Sequence, residues 1–205
     1  NPPLCADGHA ADVVSGDILR DGRTSTVSVP GQMSSRAPIL QRVRPARAAD
    51  RIRPARLHEA PHLSALACAA KASWGYGPAM MARWHAELTV PTEAIATDTV
   101  LVLEAPDLIA GYMWLVEHAA TLEIEHLFVA PEHHRRGYGR HLFSEAVRRA
   151  RAAGHPLVVE SDPYAADFYT AMGMTHEGTR VSATIPGRSL PLLRLGVEEN
   201  QSARR

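Results

Sequence analysis

Between residues 121 and 150 the side-chain pattern changes period once, and that change limits what the chain can build. "TLEIEHLFVA" (121–130) is a β-rich run; "PEHHRRGYG" (131–139) is polar and glycine-punctuated; then Leu142, Phe143, Ala146, Val147 and Ala150 form one apolar stripe at helical spacing. Gly154 stands where a helix stop is wanted. The order is strand, tight loop, helix. The next apolar run, "PLVVES" (156–161), is short enough for a buried strand. After a helix it can lie parallel to the strand before, in a crossover unit.

The flanking segments extend that unit into an α/β (α+β) chain on a mixed sheet. "RIRPAR" (51–56) reads as a first strand, followed by helices over "LHEAPHLSALACAAKA" (57–72) and "PAMMARWHAELT" (78–89). "TVLVLEA", "LIAGYMWLVEHA" and "TLEIEHLFVA" form an antiparallel meander. "DPYAADFYTAMG" (162–173) opens well as a helix, with Asp162 as N-cap, Pro163 at the first turn and Gly173 at the end. "THEGTRVSATIPGRSLPLLRL" (175–195) gives two strands around a Pro-Gly turn. Residues 1–50 scatter Gly, Pro, Ser and Asp without a sustained apolar period and read as a flexible tail; 198–205 reads as a second tail, leaving 51–197 as one domain. "RVRPARAAD" just before residue 51 nearly duplicates "RIRPARLHE" just after it.

Charge narrows the function. Lys+Arg and Asp+Glu are 22 each, so bulk attraction to nucleic acid or to a membrane is not expected. Any basic site is local. Cys5 and Cys68 are too few for a secreted disulfide scaffold, and no apolar run approaches the roughly 20 residues of a spanning helix, so a soluble, cytoplasmic protein is expected. The arginine and alanine bias suggests a bacterial genome rich in GC. His126, His133, His134 and His141 lie near one another but lack metal-ligand spacing, and no metal is expected.

The loop "HHRRGYGR" offers glycines that admit a ligand close to the backbone, unpaired N–H groups at a helix start, and positive charge. That describes an anion site, most simply for a pyrophosphate. A tight turn with solvated arginines reads equally well from the loop alone. A Walker loop would need Gly-Lys-Ser/Thr and a dinucleotide fold G-x-G-x-x-G, and neither is present. Base stacking would need more aromatics than Tyr138.

In this setting the chain resembles the GCN5-related N-acetyltransferase (GNAT) family over about residues 51–197. The family's cofactor motif, Q/R-x-x-G-x-G/A, is matched by His134, Arg135, Arg136, Gly137, Tyr138 and Gly139, with His134 departing from the usual Gln or Arg. A second block, N-x-x-A-x-x-F-Y-x-x-x-G-F, is matched by Asp162, Ala165, Phe168, Tyr169 and Gly173, with Asp162 for Asn and Met174 for Phe. The resemblance implies a mostly antiparallel sheet of six to seven strands, splayed between the fourth and fifth and flanked by about four helices. It implies acetyl-CoA as acyl donor, laid along Leu127, Phe128 and Val129. The pyrophosphate is then held by His134, Arg135, Arg136, Gly137, Tyr138, Gly139 and Arg140, and Asp162 is a further cofactor contact.

Acyl transfer to a primary amine requires a proton acceptor, because an amine with a pKa of about 10.4 is mostly protonated at neutral pH. Glu123, where some family members carry a catalytic glutamate, is the candidate, with Glu125 in reserve. Strict alternation puts Glu123, Glu125, Leu127 and Val129 on one strand face. Tyr169, in the family's Phe-Tyr pair, is the candidate acid for the departing thiolate. The acceptor is a small-molecule or peptide amine that the sequence does not name. Homodimers are common in the family. The competing reading is a catalytically silent CoA-binding or sensing module.

Overall fold

A computed structural model describes residues 50–106 and 108–196; apart from Asp50, both expected tails lie outside the described residues. Among the described residues seven strands form one sheet in the order β1-β2-β3-β4-β5-β7-β6. They are β1 (Arg51–Pro54), β2 (Thr99–Ala105), β3 (Leu108–Glu117), β4 (Leu122–Val129), β5 (Leu157–Glu160), β6 (Thr175–Val181) and β7 (Ser189–Leu195). The helices are α1 (Ala60–Ala72), α2 (Pro78–Arg83), α3 (Thr92–Thr97), α4 (Tyr138–Ala153) and α5 (Pro163–Ala171). Every described pairing is antiparallel except β4 with β5. That parallel pair holds at only two positions, Leu122 with Leu157 and Glu123 with Val158. Beyond them the strands part, which is the expected splay.

Helices cover both faces because each presents an apolar stripe. The α4 stripe, Leu142, Phe143, Ala146, Val147 and Ala150, is fully buried on one face with Leu115, Ile124, Leu157 and Leu193 from the strands. Leu63, Leu66 and Ala67 of α1 bury on the other face with Met81, Trp84, Val100, Val102 and Tyr112. Two expectations are corrected. The helix over 78–89 stops at Arg83, where Trp84 leaves helical geometry and buries its indole. The helix α3, with only Ala94 buried, was not expected from the sequence. Among the described residues no helix is long and apolar enough to cross a membrane.

The register of β4 carries one irregularity that matters for the site. Trp114 of β3 pairs with His126, and the next β3 residue, Leu115, pairs with Ile124. Glu125 is therefore an extra residue, a β-bulge that shifts the alternation by one. Upstream of it, Leu122 and Ile124 face the α4 side; downstream, Leu127 and Val129 do. Glu123 thus lies on the opposite, α1 face from Leu127 and Val129, and the single-face reading from strict alternation does not hold.

Candidate functional site

The splay opens into a cleft of about 1170 Å³. One wall is the end of β4, Leu127 to Val129; its floor is the loop from His133 into the first turn of α4; its other wall is Tyr164, Ala165, Phe168 and Tyr169 of α5. All ten strand and loop residues expected to hold the cofactor line this cleft, as does Tyr169. Ala70 and Trp74 of the α1 end also line it. Ala70 and Tyr164 carried no sequence signal of their own, although 164, 165, 168 and 169 share one face of a helix by spacing.

The loop is held in a conformation that leaves backbone N–H groups exposed. Gly137 sits at φ 90°, a left-handed conformation that costs a residue with a Cβ about 1–2 kcal/mol. Arg135 also takes a positive φ, 61°. Among the described residues no backbone carbonyl accepts from the N–H groups of Arg136, Gly137, Tyr138 or Gly139, so they are open donors at a helix N-terminus. Gly139 packs closely under Phe168, whose ring lies 3.5 Å from where a Cβ would stand. His134, exposed at the cleft edge, places Nε2 2.9 Å from the carbonyl oxygen of Val129.

Tyr169 is buried between Phe143 and Phe168, and burial pushes its phenol well above the ordinary tyrosine range. Such a hydroxyl stays protonated at every physiological pH. Glu123 does not line the cleft; its carboxylate is 2.8 Å from Nε2 of His118. The bulged Glu125 has its carboxyl raised, first by burial and then by the neighbouring charges of Glu123, Glu160 and Glu87. Next to it, His126 is buried with one defined tautomer. Its Nε2 lies 2.8 Å from the Glu87 carbonyl and must donate to it, so Nδ1 accepts from the Tyr112 hydroxyl at 2.7 Å. Burial pushes the His126 imidazole down to about 4.

Asp162 is absent from the cleft wall. It caps α5 by accepting from the Tyr164 N–H at 3.0 Å, and its carboxylate also receives Lys71 at 2.6 Å, Arg188 at 2.8 Å and the Tyr76 hydroxyl at 3.0 Å. Lys71 and Arg188 each lie over the Trp84 ring, 4.5 and 4.6 Å from its centroid. Of the aromatic and methionine residues in this region, Met81 and Trp84 are core while Trp74, Tyr76 and Met80 are half-buried. Among the described residues no group of three or more His, Cys, Asp or Glu side chains is placed to hold a metal ion.

Residues 76–184, more than half of the chain, match the model of the Acetyltransferase (GNAT) domain family. The chain belongs to that family. Solved structures agree on the fold. A GCN5-related N-acetyltransferase from Rhodopseudomonas palustris superposes with a TM-score of 0.62 at 16% identity, covering 76% of this chain and 100% of its own. The PaiA N-acetyltransferase of Thermoplasma acidophilum, solved with coenzyme A, gives 0.59 at 16% identity over 71% of this chain and 97% of its own. The yncA acetyltransferase of Salmonella typhimurium, solved with acetyl-CoA, gives 0.53 at 21% identity over 73% and 95%. Curated proteins provide no match. The GNAT family assignment accords with the expected N-acetyltransferase class and with the splayed sheet.

Proposed function

We propose that this GNAT domain moves the acetyl group of acetyl-CoA to a primary amine by direct attack. The observation that carries the reading is the β4–β5 splay opening onto a cleft whose far end is a row of open N–H donors. Pantetheine is a chain of amides, and β4 beyond its two pairs with β5 has an unpaired edge on which an added strand-like ligand can hydrogen-bond. The pyrophosphate then reaches the N–H groups of Arg136 to Gly139, with Arg135, Arg136 and Arg140 adding charge. The relatives solved with coenzyme A and with acetyl-CoA support that choice of donor.

In the transfer, the amine nitrogen attacks the thioester carbon, a C–N bond forms and the C–S bond breaks. The amine proton leaves through water for Glu123, which stands outside the cleft wall beside His118, and the thiolate takes a proton from Tyr169. A β4 amide donating to the thioester oxygen stabilises the charge that develops there. Thermal shift and calorimetry with acetyl-CoA, set against ATP and RNA, test the cofactor: stabilisation by acetyl-CoA alone is expected, and no shift with acetyl-CoA, CoA or longer acyl-CoAs overturns the reading. Thiol release across polyamines, aminoglycosides, amino acids and peptide N-termini then finds the acceptor. Binding without release on any amine would mark a sensing module instead.

A further inference from the structure

We infer that His134 is a positioning residue, a latch that holds the pyrophosphate loop closed against the end of β4. The inference rests on the loop being the cofactor cradle. At the first motif position a side chain reaching the phosphate was expected; the structure shows the imidazole folded back on the protein. A carbonyl oxygen only accepts, so the 2.9 Å contact from Nε2 to Val129 fixes Nε2 as the protonated nitrogen. The bond spans five residues and closes a ring over the turn from Val129 through Pro131–His133. The backbone bonds that also hold this segment are Ala130 N–H to Ala110, His133 N–H to Ala130 and His134 N–H to Pro131, and only the first of them reaches another strand. Immediately after it come the left-handed Arg135 and Gly137 and the open donors of Arg136 to Gly139.

The latch therefore acts on the cofactor indirectly. It fixes where the strand ends and the loop begins, so the donors are aimed before the ligand arrives, and binding need not order them. Gln places its amide nitrogen at about the reach of a histidine Nε2, so the same bond is available to a glutamine at this position.

Three measurements on the full chain decide it. A long-range 1H–15N spectrum should show His134 as the Nε2–H tautomer, and hydrogen exchange at the bonded amides of Ala130 and His133 should speed up in His134→Ala and return towards wild type in His134→Gln. Calorimetric titration of CoA should show roughly three- to tenfold weaker binding for the alanine variant, as loss of one hydrogen bond implies, and near-wild-type binding for glutamine. An Nδ1–H tautomer, unchanged exchange in the alanine variant, or equal loss of affinity in both variants overturns the latch. Absence of CoA binding by the wild-type chain overturns the cofactor reading instead, while the tautomer and exchange data still decide the latch.

Discussion

The ammonium of Lys71 lies 2.6 Å from the carboxylate of Asp162, across 91 residues of sequence. Arg188 reaches the same oxygen from the loop between β6 and β7, so the end of α1, the start of α5 and that loop meet on one buried acid. Burial by itself would raise the Asp162 carboxyl; the Lys71 ammonium, the Tyr164 N–H and the Tyr76 hydroxyl outweigh it and hold the group below the usual carboxylate range.

Asp162→Asn, which restores the family's usual residue, should therefore destabilise this chain. It leaves two largely buried cations without a counter-charge, a loss of about 2–4 kcal/mol after allowing for partial exposure. Urea denaturation at neutral pH measures it. Because the folded pKa is depressed, the stabilisation is complete above the unfolded value of about 3.9 and is lost as pH falls through the folded one. The asparagine variant should lack that low-pH loss.

His126 predicts a loss in a higher pH window. Its folded pKa, pushed to about 4 by burial, lies below the unfolded value of about 6.5. The unfolded chain gains a proton first, so stability falls as pH drops from about 6.5 to about 4, by about 3 kcal/mol in all. In His126→Gln the baseline should be lower and this slope absent. Denaturation midpoints at half-unit pH steps separate this window from the Asp162 one below it.

Gly111→Ala should weaken cofactor binding through the strand itself. Gly111 pairs with Val129, and a Cβ on it would stand 2.7 Å from the carbonyl oxygen of Phe128 and 3.2 Å from Cα of Val129. Both are backbone, so β4 must move at the residues proposed to meet pantetheine. A cost of about 1–3 kcal/mol in stability is expected, with weaker CoA binding in calorimetry.

Tyr169→Phe should keep CoA affinity within about twofold and lower kcat about a hundredfold, the scale of a lost general acid. Its phenol is raised far above neutrality by burial, so the wild-type pH–rate profile should show no basic limb from it below pH 10. Unchanged turnover in steady-state assays would remove Tyr169 from the mechanism.

What the sequence made legible was local. The stripe of α4, the glycine loop and the capped start of α5 are written in neighbouring residues, and each stands where expected. The bulge at Glu125 was hidden because "LEIEHLFV" alternates plausibly throughout, and only the partner strand shows that one residue is extra. The Asp162 cluster was hidden for another reason: its partners are 91 and 26 residues away, and nothing local marks Lys71 except that it is the sole lysine. The early end of α2 follows from the same cluster, since Trp84 leaves the helix and lies beneath both cations.

The two strand carboxylates are separable by experiment. The Glu125 carboxyl is raised by burial first and then by the charge of Glu123. If Glu123 accepts the amine proton, Glu123→Gln should lower kcat/KM about a hundredfold across the pH range while Glu125→Gln retains most activity. If Glu125 is the acceptor, Glu123→Gln should stay active with its acid limb moved to lower pH, because removing the neighbouring charge eases ionisation of Glu125. Full pH profiles of kcat/KM for both variants distinguish the two, and retention of wild-type profiles by both would assign the proton to water.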